Sequence, residues 1–107
     1  MASKNTKKSK RNIEFEKLER MAHVLKAISH PVRLKIVELL ESNTQLSVAE
    51  ILRQTGIEQS LLSHHLTKMK DKGVLISFRE GRNIYYTLAV EEIAKIFDCM
   101  ETCDLFK

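Results

Sequence analysis

Tryptophan is absent from the 107-residue chain, proline occurs once and glycine three times. So few chain breakers exclude a loop-built scaffold and leave room for helices. Cysteine is nearly as scarce, and Cys99 and Cys103 alone cannot make a disulfide framework. No apolar run approaches the ~18–20 residues that a membrane-crossing helix needs. The opening MASKNTKKSKRN lacks the apolar stretch of a secretion signal. The expectation is a cytoplasmic protein with free thiols and no membrane partner. Glycine is too sparse for a phosphate-binding loop, and no Ser/His/Asp or paired-carboxylate arrangement stands out, so an enzyme is not expected.

What is present fits one small domain. The chain is 43% hydrophobic, ordinary for a globular protein, with a formal net charge of +4. The placement of that charge matters more than its size. Lys4, Lys7, Lys8, Lys10 and Arg11 fall within residues 1–12, which hold no acid; removing them leaves 13 basic residues against 14 acidic. Residues 1–12 therefore read as a disordered basic tail and residues 13–107 as the folded domain. Such a tail either contacts phosphates or simply stays solvated and aids solubility.

Periodicity divides the domain. From Ile13 to His30, Phe15, Leu18, Ala22 and Leu25 recur every three or four residues, with Met21 and Ile28 widening the stripe, which predicts an amphipathic helix. Pro31 suits the first position of a second helix carrying Val32, Ile36, Leu39 and Leu40, and Ser42-Asn43-Thr44 ends it. Ser47 with Glu50 reads as a capping box for a third helix, Val48–Thr55, closed by Gly56. A fourth helix is expected over Glu58–Lys72. The period then changes: Val74–Phe78 and Asn83–Leu88 are rich in β-branched and aromatic residues and flank Arg79-Glu80-Gly81-Arg82, a hairpin signal. Helical spacing returns from Val90, with Val90, Ile93, Phe97 and Met100 as its stripe. The expected fold is mainly α with a small β-hairpin wing, a winged helix-turn-helix in the order ααααββα. The first and last stripes exceed what one small core needs, which predicts a homodimer through Phe15, Leu18, Ala22, Leu25, Val90, Ile93, Phe97 and Met100.

Helix, glycine turn, helix is the helix-turn-helix arrangement. On the wheel of the second of these helices, Leu62, Leu66 and Met69 share one side and must be core. Ser60, Ser63, His64 and Thr67 lie roughly opposite, with Gln59 and Lys68 on the flanks. This outward face holds short polar groups and no acid until Asp71, a surface suited to base edges and phosphates in a major groove of double-stranded DNA. His65 falls at the edge of the core face, where it either packs and hydrogen-bonds or reaches DNA. His64 and His65 do not form a metal site, because adjacent helical residues point about 100° apart. Arg79, Arg82 and Asn83 give the hairpin a basic tip, which either grips phosphate or the minor groove or serves as a charged turn that keeps the edge soluble.

Taken together, these segments resemble the arsenic-repressor (ArsR/SmtB) family of winged helix-turn-helix regulators. The resemblance is carried by Leu25–Ile36, reading LKAISHPVRLKI, by Leu46–Leu52, reading LSVAEIL, by Gln59–Leu66, reading QSLLSHHL, by Gly73-Val74-Leu75 and by the Arg79–Tyr86 hairpin. It implies a homodimeric repressor on a palindromic operator, released by an inducer, and it places Gln59, Ser60, Ser63 and His65 in the DNA-reading motif. The family's sensor patterns are not intact. Its Cys-x-Cys positions hold Ser47 and Ala49, the last helix has no His, and the second helix has no Cys.

What remains is Cys99 and Cys103, four apart and so on one face of the expected last helix. They read in three ways: as small apolar residues at an interface, as soft thiolate ligands for a metal or metalloid ion, or as a redox pair. Two ligands per chain are too few for a closed site, so a second chain, or Asp98, Glu101 or Asp104, would have to contribute. A thiol sensor is expected to bind a soft ion or react across the dimer, because the spacing of helical neighbours exceeds that of a relaxed disulfide. The functional expectation is a sequence-specific DNA-binding transcriptional repressor. The alternative is a winged-helix module that binds a protein partner; a mobility-shift assay separates the two.

Overall fold

The computed structural model describes residues 10–107, so most of the expected basic tail lies outside the described residues; Lys10, Arg11 and Asn12 are exposed. Ten elements follow in order: α1 (Phe15–Ile28), α2 (Pro31–Ser42), β1 (Leu46–Ser47), α3 (Val48–Thr55), α4 (Gln59–Asp71), β2 (Leu75–Glu80), β3 (Asn83–Leu88), a 3-10 turn (Glu91–Lys95), α5 (Ile96–Met100) and a second 3-10 turn (Asp104–Phe106). Among the described residues no helix is long and apolar enough to cross a membrane.

Local chemistry sets the helix ends. His30 precedes Pro31 in an extended conformation, and its Nδ1 accepts the Val32 N–H at 3.1 Å, so α2 starts with a side-chain cap and a proline that needs no donor. The Ser47–Glu50 capping box forms in both directions: Ser47 Oγ accepts the Glu50 N–H at 3.1 Å, and the Glu50 carboxylate accepts the Ser47 N–H at 2.8 Å. Gly56 closes α3 with φ +69°, a left-handed conformation that a side chain would resist.

The core lies where α2, α3 and α4 meet the inner face of the sheet. Ile36, Val37, Ile51, Leu62, Leu66, Met69 and Val74 are its largest fully buried side chains. The sheet is antiparallel in the order β1-β3-β2. β2 and β3 pair from Leu75↔Leu88 to Glu80↔Asn83, and β1 joins through Leu46↔Tyr86 and Ser47↔Tyr85.

Three details differ from the sequence-based expectation. The wing has a third strand, β1, whose two residues are too few to show alternation. The hairpin turn is shorter than Arg79–Arg82, because pairing runs through Arg79↔Ile84 and Glu80↔Asn83 and leaves Gly81-Arg82 as the turn. The expected last helix is not continuous from Val90 onward. It begins as a 3-10 turn, becomes α-helical only over Ile96–Met100, and ends where the Thr102 hydroxyl donates to the Asp98 and Cys99 carbonyls at 3.4 and 3.2 Å. A threonine hydroxyl that takes up helix carbonyls offers the chain an alternative to further turns. The Cys103 backbone is extended (φ −75°, ψ 134°), so Cys99 and Cys103 do not share a helix face and are not held at i, i+4 helical spacing.

Candidate nucleic-acid interface

The turn before α4 is built from its own side chains. Thr55 Oγ1 donates to the Ile51 carbonyl at 2.8 Å and accepts the Ile57 N–H at 3.2 Å. Glu58 then caps α4, its carboxylate accepting the N–H groups of Ser60 (3.1 Å) and Leu61 (3.0 Å). Those bonds hold the Glu58 carboxyl below the usual carboxylate range. The acid nearest the outward face of α4 therefore has its charge engaged by the start of the helix.

Leu62, His65, Leu66 and Met69 form the buried side of α4, while Gln59, Ser60, Ser63, His64, Thr67 and Lys68 are all exposed. These six polar side chains are thus all accessible from outside the domain. His65 is the exception among the DNA-reading candidates. It is only 4% exposed, and its Nδ1 accepts a hydrogen bond from Arg33 Nε–H at 3.0 Å. It therefore packs and hydrogen-bonds inside the domain. Burial, then the charges of His30, Arg33 and His64, push its pKa below the ordinary histidine value.

On the wing, Gly81 takes φ +65° at the turn, and Arg79, Arg82 and Asn83 are exposed. Phe78 and Tyr85 stack across the strands, centroids 5.6 Å apart, which stiffens the hairpin below its tip. A hollow of about 290 Å³ is lined by Ser47, Val48, Ala49, Leu52, Gln59, Arg82, Asn83 and Ile84. It brings the first residue of α4 and the wing tip to one concavity; Arg79 lies outside it. The two ion pairs among the described residues, Lys35–Glu38 and Lys107–Asp104, involve none of Lys68, Arg79 and Arg82, so these cations are not held by carboxylates.

Sequence reasoning missed Leu61. It is 44% exposed on the first turn of α4, between the polar face and the core side. A wheel places it on that flank, but an apolar residue there carries no pattern of its own. Arg33 was also missed, since its partner His65 is 32 positions away.

The second cluster of candidates lies elsewhere. Phe15 (74% exposed), Leu18, Leu25 (52%), Val90 (54%) and Met100 are uncovered, as is Ala22, while Ile93 and Phe97 pack partly against the core. α1 and the C-terminal segment meet in an apolar groove of about 570 Å³ lined by Met21, Val24, Leu25, Ile28, Val90, Glu92, Ile93 and Ile96. Cys99 is exposed and Cys103 half-buried. No group of three His, Cys, Asp or Glu residues capable of holding a metal occurs among the described residues. Asp98, Glu101 and Asp104 thus do not complete a site around the thiols within one chain.

A helix-turn-helix followed by a paired-strand wing defines the winged helix-turn-helix regulators. Residues 30–77 match the model of the bacterial regulatory proteins of the arsR family. The transcriptional repressor PagR of Bacillus anthracis is 42% identical over 89 residues, spanning 80% of this chain and 89% of PagR. The chain belongs to the arsR family. Its fold superimposes on the crystal structure of PagR with a TM-score of 0.73 at 38% identity, covering 81% of this chain and 99% of that one. A homodimeric winged helix-turn-helix DNA-binding domain from Mycobacterium bovis, Mb0332, is similar at a TM-score of 0.69 and 30% identity, covering 84% of this chain and 85% of that one.

Proposed function

We infer that this protein is a homodimeric, sequence-specific DNA-binding transcriptional repressor. The observation that carries this reading is the exposed outward face of α4, polar and acid-free from Gln59 to Lys68, opening at its first residue onto the hollow it shares with Arg82 and Asn83. In this reading Ser60, Ser63, His64 and Thr67 enter the major groove. Gln59 and Lys68 flank them, Leu61 meets thymine methyl groups, and Arg79, Arg82 and Asn83 grip the backbone or the minor groove. The basic residues of the N-terminal stretch add attraction that is independent of sequence. The cytoplasm, where the DNA lies, is the corresponding location.

Dimerisation follows from the second cluster. α1 is 14 residues long yet buries only Ala27 and Ile28. A helix of that length is marginal without a packed face, so a second copy is the natural cover for Phe15, Leu18, Leu25, Val90 and Met100. Two-fold symmetry then implies a palindromic operator with half-sites about one helical turn, or a multiple of it, apart.

Relatives that are repressors, and one that is a homodimeric DNA-binding domain, support the same reading. They weigh against the protein-binding alternative. The test is selection of duplexes from a random library, followed by mobility shift and light scattering. A palindromic motif bound by a dimer is expected; a monomer, or no sequence preference, overturns the reading. A thiol-directed inducer would act at the dimer, since one chain offers only two thiols. Comparing operator binding by wild type and Cys99→Ser/Cys103→Ser, with and without arsenite, Zn²⁺, Cu(I) or mild oxidant, tests this. No change in wild type under any treatment assigns the cysteines a packing role.

A further inference from the structure

The attitude of α4 decides whether its outward face can fit a groove. Its inner face is apolar apart from His65. Arg33, in the first turn of α2, donates through Nε to His65 Nδ1 at 3.0 Å and through Nη1 to the Ala27 carbonyl at 3.1 Å. Ala27 lies in the last turn of α1, where carbonyls have no partner within the helix. One side chain therefore joins three helices: α1 with its uncovered apolar face, α2, and the DNA-reading α4. The His30 ring leans on His65 with centroids 4.3 Å apart, and its own Nδ1 is committed to capping α2.

Arginine is always charged and only donates. Its bond to His65 therefore needs a lone pair on Nδ1, which puts the ring proton of the neutral form on Nε2. That Nε2 is buried and has no hydrogen-bond partner among the described residues. A second proton, on Nδ1, would set donor against donor and cation against cation. The titratable and charged groups that act on His65 are His30, Arg33 and His64, all opposing its protonation; none is a carboxylate, and none comes from α1, α3 or β2, the other elements packed on α4. Apolar packing alone tolerates sliding, whereas a charge-assisted hydrogen bond fixes direction.

We propose that Arg33 is a positioning residue for DNA recognition: through neutral His65 and the Ala27 carbonyl it fixes α4 against α1, and operator affinity falls when His65 takes a second proton. This rests on the DNA-binding reading above. The test measures binding to the selected operator and to a scrambled duplex from about pH 8 down to about pH 5, the range in which histidines titrate. Arg33→Met should lose operator affinity by about tenfold or more, while keeping its dimeric state and its affinity for the scrambled duplex. Should Arg33→Met fail to fold, Arg33→Lys, which keeps the charge but cannot span both acceptors, carries the same expectation. His65→Asn places an amide oxygen near the position of Nδ1 and does not titrate. Whatever its affinity near neutrality, it should lose less operator affinity in acid than wild type does. Full operator affinity in both Arg33 variants, or identical acid profiles for wild type and His65→Asn, overturns the proposal. Nitrogen-15 shifts of the His65 ring test the bond without DNA: the Nε2–H tautomer is expected, and Nδ1–H would refute it. If wild type prefers no duplex, the DNA-binding reading fails, while the tautomer still decides the bond.

Discussion

The body formed by α2, α3, α4 and the sheet differs from the shell formed by α1 and the segment after Leu88. In the body, each helix from α2 to α4 starts at a side-chain cap, and the inner faces are closed over Ile36, Ile51, Leu62 and Met69. In the shell, α1 is long but buries only its last turn, the segment after Leu88 is broken into short helical pieces, and large apolar side chains face outward. The difference teaches that, in the proposed function, one chain completes the reading head but leaves the frame that carries it for a second copy to cover.

The largest effect that would test this contrast is a cavity in the body. Leu62→Ala should destabilise by about 2–5 kcal/mol, read from the denaturant midpoint. Leu25→Ala, in a monomer, should do far less. Equal losses would erase the distinction. Next comes the frame itself. Leu25→Asp should yield a folded monomer by light scattering and circular dichroism, with operator affinity down about a hundredfold as the second half-site is lost. If the variant stays dimeric, the apolar groove is not the interface.

Smaller effects sharpen the picture of the head. Ser63→Ala or His64→Ala should lower operator affinity by about 1–3 kcal/mol and leave random DNA nearly unaffected. Arg82→Ala should weaken both duplexes and reduce the salt slope by about one unit; an unchanged slope would remove the wing from the interface. Acid should separate two groups within the head. His65 is held below its ordinary value, so its neutral form favours the fold. That contribution is fully present above the ordinary histidine value and is lost as pH falls from there through the lowered one. Glu58 is also held low, but by its cap, so its contribution is present above the usual carboxylate value and fades only in a more acid window. Urea midpoints across both windows, compared for wild type, His65→Asn and Glu58→Gln, check the order.

Much of the head was legible in the sequence because local chemistry decides it. Pro31, the Ser47–Glu50 pair and Gly56 act within four residues of themselves, and the structure puts α2 and α3 where they predict. The outward face of α4 follows from helical geometry once Leu62, Leu66 and Met69 are inside. Legibility ended where distant contacts decide. β1 exists because Leu46 and Ser47 find Tyr86 and Tyr85, some forty positions on. The Arg33–His65 bond has no signal in either neighbourhood. The last stripe misled for a related reason: its spacing is helical, but helices this short take their stability from packing, and here the outer side faces solvent.

Ser47 belongs to two structures at once, capping α3 while its backbone pairs with β3 of the wing. That double membership bears on the speed of recognition. A wing on a free tether would reach its phosphates only after α4 had docked, in a second search. A wing pinned beside the start of α3 is already oriented, so in the proposed interface α4 and the arginine tip would meet the duplex in a single encounter.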